Sequence, residues 1–183
     1  MSIPNLISLA RLLSAPLTVY LLLQGLYTAA FWLFVAAGVS DAVDGFLAKR
    51  LGMASELGAY LDPLADKALL VSVYWTLGAA GLLAVWLVIL VVFRDIIIIT
   101  GLVLLKLNNQ ESMRMRPMMI SKVNTAAQIT LAAVLLAELG LPLDTGLVLP
   151  VLIYLVAATT LISGGIYLVN WARHVASLEE TGT

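Results

Sequence analysis

Six long apolar runs constrain this chain more than any other feature. They cover residues 7–25, 29–48, 60–78, 83–105, 123–139 and 147–170. Each is close to the roughly 20 residues that a helix needs to cross a lipid bilayer. Hydrophobic residues make up 62% of the 183 residues and charged residues only 11%, well below the roughly 25% usual in soluble domains. We predict an all-α integral membrane protein, a single domain over residues 1–183 with six transmembrane helices.

The distribution of Lys and Arg predicts the orientation of these helices. The turns after the first, third and fifth runs contain neither residue, and all ten basic residues lie within the runs or on the other side. Because cytoplasmic loops carry an excess of Lys and Arg, that side is predicted to be cytoplasmic. The N-terminal residues lack the features of a signal or transit peptide, so we expect a multi-pass protein of the bacterial inner membrane.

Composition also excludes several kinds of site. The chain has no cysteine, which excludes disulfides, a thiolate metal site and a cysteine nucleophile. The net charge is −1 and there is no basic tail, so nothing indicates a nucleic-acid partner.

Four aspartates are concentrated around the second and third runs, at the predicted cytoplasmic side. Asp41 and Asp44 are three residues apart and share one face of a helix, and Asp62 and Asp66 are four apart and do the same. A charge at membrane depth costs about 2.5–3.5 kcal/mol, so such residues usually face an internal site. An antiparallel hairpin of these two helices would bring the four carboxylates together.

Clustered carboxylates repel one another unless some are protonated or a cation binds between them. Oxygen ligands without His or Cys suit Mg²⁺, Mn²⁺ or Ca²⁺, and Mg²⁺ often completes its coordination with substrate phosphates. The spacing therefore indicates a metal-assisted reaction at the phosphate of a membrane-resident substrate. Small residues on the same helices, Gly45, Ala48 and Gly58, would let a ligand approach the backbone closely.

Two other interpretations of the aspartates remain open at this point. The acids could be ion-pair partners of Lys49, Lys67 or Arg94 that serve assembly alone. They could also line the pathway of a small cation or proton transporter, for which six spans is a usual size.

The stretch from Asp41 to Asp66 reads D-x2-D-G-x2-A-K-x8-G-x3-D-x3-D. It resembles the motif of the CDP-alcohol phosphotransferase family and matches it at seven of eight fixed positions. The departure is Lys49, where the family usually has Arg; Lys keeps the charge but lacks the bidentate geometry of a guanidinium. The opening "IPNLISLAR" is also similar to the start of family members. The resemblance implies a six-helix bundle with a short interfacial N-terminal segment, often a homodimer.

The resemblance also implies roles for individual residues. Asp41, Asp44 and Asp62 would bind metal, two Mg²⁺ or Mn²⁺ ions in all, and Asp66 would be the general base and share a metal. Four further positions would line the nucleotide site: Gly45, Ala48, Lys49 and Gly58. The implied reaction moves a phosphatidyl-type group from a CDP-linked lipid, such as CDP-diacylglycerol, to an alcohol and releases CMP.

Four basic residues are the candidates for binding an anionic substrate, one near the middle of the fourth run and three at the predicted cytoplasmic side. They are Arg94, Arg114, Arg116 and Lys122. Arg94 could instead form a structural pair with Asp95 or Asp62, and the loop residues could simply face anionic headgroups. The segments "ISKVNTAAQI", "LDPLADKALL" and "FRD" resemble the eukaryotic-type cardiolipin synthase branch, which uses phosphatidylglycerol. The phosphatidylglycerophosphate synthase branch, which uses glycerol 3-phosphate, is similar and remains the alternative.

Overall fold

The computed structural model describes residues 3–51, 56–107 and 119–181, with side chains for residues 9–41, 66–101 and 119–169. Within these ranges the chain forms six α-helices and no strand. They are α1 (Ile3–Leu23), α2 (Tyr27–Leu51), α3 (Glu56–Ala79), α4 (Val85–Leu107), α5 (Met119–Gly140) and α6 (Val148–Thr181). Each helix contains most of one apolar run, in order, so the all-α prediction is confirmed. The predicted interfacial N-terminal segment coincides with the first turns of α1.

Helices α1 and α3 are each followed, two positions after the last helical residue, by a glycine with a left-handed backbone. Gly25 has φ of 71° and Gly81 has φ of 72°, values that favour a residue without Cβ. The amide of Leu26 donates to Leu21 O and the amide of Gly25 to Leu22 O, at 2.9 and 3.1 Å. Gly81 and Leu82 repeat this pattern at the end of α3. These bonds satisfy carbonyls that a helix end leaves without partners, and they allow the short connections between successive helices.

Two helical segments meet the length and hydropathy expected of a membrane span among the described residues, namely Met119–Gly140 and Val148–Val169. A shorter apolar segment, Leu9–Leu23, is also present. Spanning by all six helices therefore stays a prediction.

The distribution of polar and apolar side chains supports placement in a membrane. Large apolar side chains such as Trp75 and Tyr154 are 65% and 71% exposed. Arg11, Arg94 and Asp95, in contrast, are each 3% exposed. Water favours the opposite distribution, whereas lipid favours apolar surfaces with ionisable groups turned inward.

Two compact units make up the chain. Unit 1 comprises residues 1–85 and 129–149, and unit 2 comprises residues 86–128 and 150–183. The single-domain prediction is not tested by this division. In unit 1, α1 packs against both α2 and α3. The buried residues of α1 recur at helical spacing along one face: Arg11, Ser14, Ala15, Thr18 and Leu22.

The last turn of α5 lies against the start of α2 in unit 1. Thr28 Oγ1 donates a hydrogen bond to the carbonyl of Gly140. A Cβ placed on Gly140 would lie 2.7 Å from the backbone nitrogen of Thr28, closer than atoms normally approach. Glycine at this position therefore permits the close approach of two backbones.

Polar side chains join helices in unit 2. Asn124 on α5 is fully buried, and its Oδ1 accepts hydrogen bonds from Thr159 and Thr160 on α6 at 2.8 and 2.9 Å. Hydrogen bonds of this kind between apolar helices favour one register over others, because sliding would leave the hydroxyls and the amide without these partners.

Candidate active site

Arg11 is the centre of a charged cluster in unit 1. Its Nη1 atom lies 2.7 Å from Asp41 Oδ1 and 2.9 Å from Asp66 Oδ1. The three residues belong to α1, α2 and α3, and α1 contacts both other helices. Two of the four aspartates singled out from the sequence are therefore brought together, on one nitrogen atom.

Local hydrogen bonds allow the polar face of α1 to be buried around this cluster. Ser14 Oγ donates to the carbonyl of Arg11 at 2.6 Å, and Thr18 Oγ1 donates to the carbonyl of Ser14 at 2.7 Å. Both hydroxyls are satisfied within the helix, so they pack against α2 and α3 without the cost of an unpaired polar group.

The members of the cluster differ in their exposure. The Arg11 side chain is 2% exposed, whereas the side chains of Asp41 and Asp66 are 47% and 46% exposed. The guanidinium is held inside the helix packing, and each carboxylate keeps part of its surface accessible.

A cavity of about 340 Å³ adjoins Arg11 between α1 and α2. Its lining combines small and apolar residues of both helices with the hydroxyl residues Ser14 and Ser40. The Arg11 atoms Nε and Nη2 are buried and have no hydrogen-bond partner in the part of the chain that the structure describes.

Asp41 and Asp66 offer the type of ligand atom, a carboxylate oxygen, that a hard divalent cation prefers. Both carboxylates direct an oxygen at the same cationic atom, and Mg²⁺ prefers such oxygens at about 2.0–2.1 Å. Among the described side chains, no group of three or more His, Cys, Asp or Glu residues is present. The side chains of Asp44 and Asp62 lie outside the described residues, so the four-acid site stays a prediction.

The predicted nucleotide-binding residues also lie outside the described side chains. Gly45, Ala48 and Lys49 belong to α2 and Gly58 to α3, which places them on the two helices that carry the acids. Their contacts, and the effect of Lys in place of Arg at position 49, remain predictions.

Arg94 forms a second buried charged cluster, in unit 2. Its Nη1 lies 2.8 Å from Asp95 Oδ1, and its Nη2 donates to Ser121 Oγ at 2.5 Å and Ser163 Oγ at 2.7 Å. Gly164 lies beside this side chain, and a Cβ there would make an ordinary van der Waals contact with Arg94 Cγ at 3.5 Å. The Arg94–Asp95 alternative is thus the arrangement observed, and substrate binding by Arg94 stays a prediction.

The other candidate acceptor-binding residues are less well defined. Lys122 is exposed near the start of α5, and Arg114 and Arg116 lie outside the described residues.

Arg11 is the residue of the site that sequence reasoning missed. Arg11 is the last residue of the opening that resembles the family, and the sequence pattern does not link it to the aspartates. The available signal was an arginine within the first apolar run, where a charge is expected to meet a buried partner.

Comparison with known proteins assigns the chain to a family of transferases. Residues 1–173 match the family model for CDP-alcohol phosphatidyltransferase. The match covers most of the chain and includes all four aspartates. The chain belongs to the CDP-alcohol phosphatidyltransferase family, as the motif indicated.

Relatives in this family carry two kinds of name. A cardiolipin synthase (CMP-forming)/mitochondrial hydrolase fusion protein of Schizosaccharomyces pombe is 33% identical over 92% of this chain and 31% of its own length. The cardiolipin synthase (CMP-forming) of Rattus norvegicus is 36% identical over 74% of this chain and 50% of its own length. A chloroplastic CDP-diacylglycerol–glycerol-3-phosphate 3-phosphatidyltransferase of Oryza sativa is 36% identical over 89% and 55%. The chain thus spans between about a third and a little over half of these relatives.

Proposed function

We propose that this protein transfers the phosphatidyl group of CDP-diacylglycerol to a hydroxyl of phosphatidylglycerol, giving cardiolipin and CMP. Membership of the family and its cardiolipin synthase relatives support this activity. The single observation that carries the proposal is the convergence of Asp41 and Asp66, from two helices, on one cationic position.

The proposed reaction forms one bond and breaks one. The acceptor hydroxyl oxygen bonds to the phosphorus of the phosphatidyl group, and the bond from that phosphorus to the oxygen of CMP breaks. Asp66 takes the hydroxyl proton, a role that its half-exposed carboxylate at the cluster allows. Mg²⁺ or Mn²⁺ bound by the acids would neutralise the diphosphate and stabilise the departing CMP.

The packing of the helices fixes the positions of the two acids that would receive the reactants. Asp41 and Asp66 are fixed by α1 packing against α2 and α3, so the acids need little rearrangement to receive the substrate. An acceptor and a donor that both reside in the membrane reach the site laterally. A homodimer in the bacterial inner membrane, with the acids on the cytoplasmic side, is the setting we expect.

Phosphatidylglycerophosphate synthesis is the second candidate. The rice relative, whose name specifies glycerol 3-phosphate, is as similar to this chain as the rat cardiolipin synthase. The donor, the released CMP and the proposed roles of the acids are the same in both reactions, and only the acceptor differs.

An acceptor panel tests the proposal. Purified protein is mixed with CDP-diacylglycerol, Mn²⁺ or Mg²⁺, and either phosphatidylglycerol or glycerol 3-phosphate, and CMP and the lipid product are measured. We expect CMP and cardiolipin with phosphatidylglycerol. Turnover with glycerol 3-phosphate alone would favour the second candidate, and no CMP with either acceptor would contradict both.

The matched variant Asp66→Asn tests the proposed base. It removes the proton acceptor while keeping the size of the side chain, so CMP release should fall by about 10²-fold or more. Its elution and circular dichroism should match those of the unmodified protein. Substantial turnover by a folded Asp66→Asn protein would remove Asp66 from this role.

A further inference from the structure

Arg11 occupies the position where the proposed metal site requires a cation. The same nitrogen, Nη1, is within 2.9 Å of one oxygen of Asp41 and one of Asp66. A divalent cation bound to those two oxygens would lie at this position or immediately beside it. The guanidinium and the metal therefore exclude each other by both volume and charge.

We propose that Arg11 is a positioning residue that acts as an internal cation. In the metal-free protein it holds Asp41 and Asp66 together, and it gives up this contact when a divalent cation binds them. This inference rests on the proposed metal-dependent function.

Electrostatics explain why such a residue is useful. Without a cation, the carboxylates of Asp41 and Asp66 repel each other across a small gap, which favours separation of α2 and α3. Arg11 offsets this repulsion from α1, the helix that contacts both. The acids are consequently held in place before metal arrives, and metal binding replaces one cation by another.

The contacts of the Arg11 side chain indicate which groups a substitution at this position would affect. The hydrogen bonds and ion pairs of this side chain in the described part of the chain are those with Asp41 and Asp66, and Nε and Nη2 are buried without partners there. An arginine that served packing alone would be expected to use more of its five donors. Removing the charge therefore acts on the two acids.

Metal affinity in the absence of substrate tests the proposal. Mn²⁺ is titrated into the full-length protein in detergent, and free Mn²⁺ is measured by electron paramagnetic resonance for the unmodified protein and Arg11→Gln. Because metal no longer displaces a guanidinium, Arg11→Gln should bind Mn²⁺ about tenfold more tightly. Equal or weaker binding by Arg11→Gln would overturn the proposal, since a residue that only prearranges the acids would weaken binding when removed.

Thermal unfolding supplies a second readout. Arg11→Gln should lower the melting temperature of the metal-free protein, and saturating Mn²⁺ should restore more stability to the variant than to the unmodified protein. An equal gain from Mn²⁺ in both proteins would contradict competition between Arg11 and metal.

Two further variants keep the test decisive. Arg11→Lys keeps the charge with a shorter reach, so its Mn²⁺ affinity should fall between those of the unmodified protein and Arg11→Gln. If Arg11→Gln does not fold, Mn²⁺ binding by Arg11→Lys that is unchanged or weaker than that of the unmodified protein overturns the proposal. Ser40→Ala alters the same cavity without changing charge and should leave Mn²⁺ affinity unchanged.

Failure of this inference is distinguishable from failure of the proposed function. If the unmodified protein neither binds Mn²⁺ nor releases CMP, the metal-dependent function itself is wrong. If it does both, and Arg11→Gln does not bind Mn²⁺ more tightly, only the role of Arg11 is wrong.

Discussion

At the scale of single residues, Arg11 and Arg94, the buried arginines in the described part of the chain, differ in how their charge is satisfied. Arg94 has a carboxylate and two serine hydroxyls around its guanidinium, so its donors are largely used. Arg11 has two carboxylates on one nitrogen and leaves Nε and Nη2 without partners among the described residues. The arrangement around Arg94 is typical of a structural ion pair. Arg11 leaves donors unused, so it can exchange partners more readily.

A double-variant cycle tests the structural role of Arg94. Arg94→Met deprives the buried Asp95 of the charged partner that the structure shows and should destabilise the protein by about 3–5 kcal/mol. Adding Asp95→Leu removes the remaining charge, and the double variant should recover much of the lost melting temperature.

The same double variant distinguishes a structural role of Arg94 from a role in substrate binding. If it is stable and saturates with the acceptor as the unmodified protein does, Arg94 acts in assembly alone. A stable double variant with a strongly raised KM for the acceptor would instead support the predicted contact between Arg94 and substrate.

At the scale of helices, the contact between the last turn of α5 and the start of α2 depends on Gly140. The Cβ of Gly140→Ala would lie 2.7–2.8 Å from backbone atoms of Tyr27 and Thr28, which cannot rotate away as a side chain would. We expect a loss of about 1–3 kcal/mol in stability, measured as a lower melting temperature in detergent.

Gly38→Ala is the matched control for this substitution. Gly38 lies within α2, and an added Cβ there meets nothing within 4 Å. Alanine is the better helix former, so the melting temperature should stay the same or rise slightly. Similar losses from both substitutions would contradict a specific role for the contact at Gly140.

The positions of the helices were predictable from sequence, whereas their partners were not. The apolar runs give the approximate position of each helix, and Gly25 and Gly81 mark the ends of α1 and α3, because the requirement for backbone hydrogen bonding acts locally. The runs do not give every helix end, since α6 continues to Thr181, beyond the run that stops at residue 170. The spacing of Asp41 from Asp44, and of Asp62 from Asp66, predicts which residues share a helix face. It contains no information on which third helix packs against both, so the contact with Arg11 became apparent only from the packing of α1.

At the scale of the whole molecule, the proposed activity depends on a removable cation. Dialysis against EDTA should abolish CMP release, and Mg²⁺ or Mn²⁺ should restore it, because the acids provide hard oxygen ligands. Full activity after exhaustive chelation would contradict the metal-dependent mechanism. The protein should remain folded without metal, because Arg11 still joins Asp41 and Asp66.

The division of the chain has a consequence for its biosynthesis. Unit 1 takes residues 1–85 and 129–149, and the intervening stretch belongs to unit 2. During translation, therefore, unit 1 is complete only after residues 129–149 have been synthesised, and these follow residues that belong to unit 2. A ribosome stalled before residue 129 would present a partly built unit, with the start of α2 still lacking the backbone of Gly140 beside it.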